Sequence, residues 1–144
     1  MRTVAPAVIC AAVLAVPAAA DAKTWRGKTE QGRAVSVTTG ADDLVDRVRV
    51  AWRAPCRNGH YVSRTLFLAP LDVSERDRFE HAGSYRSRLK DGYRARHTVF
   101  VRGRLGADDR WRGVFRVRTR VGREGRVIDR CGLERLRWSA EASP

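Results

Sequence analysis

Residues 95–121 read ARHTVFVRGRLGADDRWRGVFRVRTRV, and this stretch decides the fold. Apolar and polar residues alternate from 95 to 105 and again from 111 to 121, and Gly106, Ala107, Asp108 and Asp109 join the two runs. Successive side chains of an extended chain point to opposite faces, so a period of two marks a half-buried strand, whereas a helix repeats near 3.6. The stretch is therefore predicted to form a β-hairpin around a polar turn.

The same period recurs on either side. Residues 24–29 and 34–39 flank a Gln31-Gly32 turn, with Val35 and Val37 inward. Val48, Val50 and Trp52 share one face while Arg47, Arg49 and Arg53 share the other. Asn58-Gly59 leads into a strand over 61–68 that Pro70 closes, and a last strand over 133–140 sets Leu136 and Trp138 on a common face. Residues 71–91 are the least patterned: 73–79 fit a helical turn or a short strand, the surroundings of Gly83 resemble a loop, and Phe79 is the expected buried anchor. Gly-Ala-Asp-Asp occurs at Gly40 and at Gly106, as two similar hairpin turns rather than a duplication. The expectation is an all-β chain, an antiparallel β-sandwich or partly open barrel of about seven or eight strands.

The N-terminal segment reads as an address. Arg2 gives a positive start, residues 8–16 are apolar but too short to span a bilayer, and Ala18, Ala19 and Ala20 fit a small-residue cleavage site. Residues 1–20 are thus expected to be a signal peptide, cut after Ala20 or Ala22, leaving 21–144 as one secreted domain without a transmembrane segment. Ile9 before Cys10 is not the small residue that lipid attachment needs. With Cys10 removed, Cys56 and Cys131 have only each other, against the alternatives of free thiols or a bridge between chains. A loop closed by that bridge is worth about 4 to 5 kcal/mol in chain entropy.

Several features together resemble a group of small exported bacterial two-cysteine β-domain proteins without assigned activity. They are WRGKTEQGRAVSV from Trp25, Cys56, Phe79, GRLGADDRWRGVFRVR from Gly103, Cys131, and Trp138-Ser139-Ala140. The resemblance implies a fold and an exported location and brings no catalytic residues. Gly27 and Gly113 each follow a Trp-Arg pair, as expected where another element packs close to a strand. Trp25, Trp52, Trp111 and Trp138 are expected in the core, the sharper alternative being an exposed carbohydrate platform.

Charge is where the chemistry concentrates. The chain carries 29 Lys and Arg against 16 Asp and Glu. Between Arg86 and Arg137 there are 17 basic and 6 acidic residues, against 11 and 9 between Asp21 and Tyr85. Arg94, Arg96, Arg102 and Arg104 share parity on one predicted strand, and Arg112, Arg116, Arg118 and Arg120 on the next. If the two faces coincide, the hairpin displays a guanidinium field suited to phosphate, sulfate or carboxylate groups, hence to an anionic polymer or membrane surface. The plainer account is a solvated face in an arginine-biased composition.

Other chemistry finds little footing. No helix-turn-helix, zinc-finger or RNP-like pattern supports sequence-specific nucleic-acid binding. His60, His81 and His97 lack metal-ligand spacing, Ser63, Ser74, Ser84 and Ser87 lack a nucleophile-elbow context, and Asp42, Asp43, Asp108 and Asp109 are turn acids without an EF-hand pattern. No metal, cofactor or catalytic set is expected. A non-catalytic polyanion-associating domain is the leading expectation, with a binding module for a small or apolar ligand, or an inhibitor of another exported protein, as the alternative.

Overall fold

The computed structural model describes residues 22–40, 44–68, 70–73 and 77–144; the expected leader 1–20, the acids Asp42 and Asp43, and Ser74 lie outside them. Strands β1 (Lys23–Thr29), β2 (Ala34–Thr39), β3 (Leu44–Pro55) and β4 (Tyr61–Leu68) form one antiparallel meander. A two-residue β5 (Leu71–Asp72) pairs with β3. Strands β6 (Arg78–Arg88), β7 (Arg94–Leu105), β8 (Arg110–Arg123) and β9 (Arg126–Ala142) form a second meander. Pairing of β9 with β1 joins the two into one curled half-barrel sheet, in the order β4-β3-β2-β1-β9-β8-β7-β6. Of the two architectures expected, the partly open barrel is the one formed. Among the described residues no helix is long and apolar enough to cross a membrane.

The alternation sorts side chains as the sequence implies. Val35, Val37, Val48, Val50 and Trp52 are buried while Arg47, Arg49 and Arg53 are exposed. All four tryptophans lie in the core, which overturns the alternative of a carbohydrate platform. Trp25 meets Trp111 edge to face at 6.1 Å, Trp52 lies 5.9 Å from Phe115, and Phe79, the expected anchor, stacks on Trp138 at 6.1 Å. Gly103 faces Gly113 across β7 and β8, and the Trp138 indole lies where a side chain on either would project. Gly27 brings β1 so close to the Ser139 backbone that a Cβ would overlap it.

Two expectations need correction. The surroundings of Gly83 are not loop: residues 78–88 form an eleven-residue strand paired with β7 from Arg78 opposite Arg104 to Arg88 opposite Arg94. Its less exposed positions hold Phe79, His81, Gly83, Tyr85 and Ser87, so no apolar alternation marks it. The last strand begins at Arg126 rather than 133, because residues 126–131 pair with β8 through a register shift that breaks the period.

Cys56 and Cys131 form a disulfide across a sequence separation of 75. It fastens the segment after β3 to the middle of β9, tying the first meander to the second. Arg64 makes a further link between the two ends of the sheet: from β4 it donates to the Arg88 carbonyl of β6 at 3.2 Å.

Candidate polyanion-binding face

Strand parity and register together build this face. Arg94, Arg96, Arg102 and Arg104 of β7 and Arg112, Arg116, Arg118 and Arg120 of β8 are all exposed, and the residues of opposite parity, such as Ala95, Val99, Val101, Phe115 and Val117, turn inward. Arg96 stands opposite Arg120 and Arg104 opposite Arg112, so the two sets share one side of the sheet.

The neighbouring strands lengthen both rows. Arg86 of β6 pairs with Arg96, and Arg130 of β9 pairs with Arg120, giving four arginines in line across four strands. A second row runs from Arg78 through Arg104 and Arg112, then by way of Ser139 to Lys28 of β1. Adjacent strands lie about 4.8 Å apart, within the roughly 8 Å screening length of physiological salt. Along β7 the rows are separated by about 26 Å at the usual rise of a strand. Arg86, Arg88, Arg94 and Arg96 line one shallow groove, and Arg78, Arg102, Arg104 and Arg137 line another over the Gly103–Gly113 pair.

Little of this charge is neutralised from within. Asp108 grips Arg112 through two hydrogen bonds of 3.0 and 2.6 Å, and Glu134 stands 3.8 Å from Arg118. Among the described residues the other six of the eight arginines have no carboxylate within ion-pair distance. The Arg116 guanidinium lies 5.5 Å from the Phe100 ring centre. The Arg112 hydrogen bonds pull the Asp108 carboxyl down to about 2, and the Lys23 ammonium, with help from the Trp25 N–H, holds Asp109 below its ordinary value. Both acids are thus occupied at their own turn.

No protein-family model, curated protein or solved structure matches this chain.

The sequence reading missed part of the face. Arg78, Arg86 and Arg88 sit in β6, within the least patterned stretch of the sequence, and Arg130 lies in the irregular start of β9. Their even spacing was the available signal, masked by the polar inner side of β6.

His97, read as one of three scattered histidines, is fully buried. Its Nε2 lies 2.7 Å from Ser87 Oγ and its Nδ1 2.8 Å from Thr119 Oγ1, linking β6, β7 and β8. Trp52 packs against it edge-on at 5.5 Å and the Tyr85 ring lies 4.6 Å away. Burial, and secondarily the Arg64 charge, push its pKa from 6.5 down to about 4. The ring is therefore neutral near pH 7, and one nitrogen donates while the other accepts. The cluster of metal-ligating residue types among the described residues is Cys56, Asp129 and Cys131, whose two sulfurs are bonded to each other.

Proposed function

We propose that this chain is a secreted, non-catalytic β-domain that associates electrostatically with anionic polymers or surfaces through its arginine face. One observation carries the reading: arginines from four consecutive strands stand in register on one exposed face, with few acids among them. Like charges opposed across strands repel, and an anionic partner removes that cost. Guanidinium forks match phosphate, sulfate and carboxylate groups, so the partner class follows from the donors. The disulfide supports an oxidising compartment, in keeping with the leader-like N-terminal segment.

Ser87 and His97 have the separation of a nucleophile and its base, but the imidazole has no exposed surface and its second partner is a neutral hydroxyl. We read the trio as a polar strut that satisfies a core histidine.

The test is retention on heparin-agarose as salt is raised. Each phosphate-like group neutralised contributes about 0.7 to 0.9 to the log–log salt slope. Changing Arg116, Arg118 and Arg120 to Gln is expected to lower the slope by about 2 to 3 and to bring elution to lower salt. Retention indifferent to salt, or unchanged by the triple substitution, overturns the reading.

A further inference from the structure

We propose that the β8–β9 hairpin end is a lipid-docking tip, which seats its arginines on anionic phosphodiester headgroups and places Val127 and Ile128 in the acyl boundary of a bilayer. The inference rests on the polyanion reading and names its partner.

The geometry begins with the turn. Arg123 pairs with Arg126 around Glu124 and Gly125, whose φ values of 50° and 80° give the paired left-handed conformation of a tight hairpin. Just inside it the register slips: Gly122 pairs with Val127 and Val121 with Asp129, leaving Ile128 as the extra residue. Regular alternation would turn one of two adjacent aliphatic residues inward. The slip leaves Val127 51% and Ile128 54% exposed, while Asp129 takes the inward place at 8%.

A lone exposed aliphatic residue is ordinary on a protein surface. Here two stand together, and one of them lines a guanidinium-rich groove. Val127 lines the same concavity as Arg94, Arg120 and Arg126, and the acid lining it, Glu124, lies 3.8 Å from Arg123. Arginines alone fit any polyanion, and aliphatics alone fit any apolar surface. Cations beside an exposed aliphatic pair match the one environment in which anionic groups overlie hydrocarbon, the bilayer interface. The β7–β8 turn, at the other end of β8, offers no such aliphatic pair: it carries Asp108 and Asp109, and Leu105 beside it is partly buried.

The experiment is flotation of the full chain with vesicles of phosphatidylcholine alone, and of phosphatidylcholine and phosphatidylglycerol in equal parts. The full chain is used throughout, and the parent and the variant are compared at the same vesicle composition, so that residues 8–16 are common to both. The variant V127S/I128S changes only exposed positions, and heparin-agarose retention serves as its companion measurement. Expected are preference for the anionic vesicles, a loss of about tenfold or more in partitioning for the variant, and unchanged heparin retention. Equal binding to both vesicle types overturns the inference, as does undiminished anionic-vesicle binding by the variant. Heparin retention without vesicle binding also overturns it and leaves the polyanion reading standing. Binding to neither overturns both.

Discussion

The two meanders of the sheet present comparable inner faces and very different outer ones. Inside, Val35, Val37, Val48, Val50 and Trp52 of the first correspond in kind to Val99, Val101, Phe115, Val117 and Trp138 of the second. Outside, the first sets its arginines opposite neutral residues, Arg49 opposite Ser36 and Phe67 and Arg53 opposite Ser63, with Arg53 also over the Tyr61 ring at 3.9 Å. The second sets arginine opposite arginine, Arg96 against Arg120 and Arg104 against Arg112. The inner period specifies the fold in both halves, which frees the outer period to carry charge in one of them.

The comparison presumes that both meanders fold as one unit, and the largest expected effect tests this. Cys56 lies in the first meander, between β3 and β4, and Cys131 lies in the second, so their bond ties both halves. Replacing both cysteines with Ser is expected to lower the free energy of unfolding by about 4 kcal/mol, through the freed loop entropy of the unfolded chain. Urea unfolding followed by tryptophan fluorescence reports on both halves, because Trp25 and Trp52 sit in one and Trp111 and Trp138 in the other. A single transition at a lower midpoint is expected. Two separated transitions would break the comparison into two independent domains.

Legibility followed the same division between inner and outer faces. Where β2, β3, β7 and β8 place mainly apolar residues on the inner side of an alternating run, the period, the burial and the arginine parity could all be read from sequence. Strand β6 escaped because its inward positions include His81, Gly83 and Ser87, which contribute no hydrophobic period, and its arginines escaped with it. The extra residue at Ile128 hid the start of β9 in the same way. His97 escaped for a different reason: its partners Ser87 and Thr119 are distant in sequence and meet it only through cross-strand register.

That buried trio also divides the halves, since the polar strut belongs to the second meander. The His97 ring titrates near 4 in the fold against 6.5 in the unfolded chain. Below about pH 6.5 the unfolded chain takes up a proton that the folded one refuses, so stability falls as the pH drops through this window and levels off below about 4. The cost is on the order of 3 kcal/mol. The Tyr85 hydroxyl, pushed up from its ordinary value by burial, and the Arg64 guanidinium lie beside the ring. Urea midpoints at about pH 7 and about pH 4.5, for the parent and His97→Gln, isolate the effect. The variant is expected to be less stable at neutral pH and to lose most of the acid-side slope; an undiminished slope assigns it to other groups.

The smallest expected effect is the sharpest discriminator between the outer faces. Arg96 and Arg120 face each other across β7 and β8, with Arg86 and Arg130 in the same row. Changing Arg96 and Arg120 to Gln removes like-charge opposition while keeping long polar side chains, and is expected to raise stability by about 0.2 to 1 kcal/mol at low salt. The gain should vanish at high salt, where screening already suppresses the repulsion. Arg53→Gln in the first meander should do the opposite, costing about 0.5 to 1 kcal/mol through the lost Tyr61 contact. Thermal melts of the two variants at low and high salt make the comparison. If the Arg96 and Arg120 substitutions destabilise the fold as Arg53→Gln does, the arginine rows contribute to holding the sheet, and their charge is no longer surplus to folding.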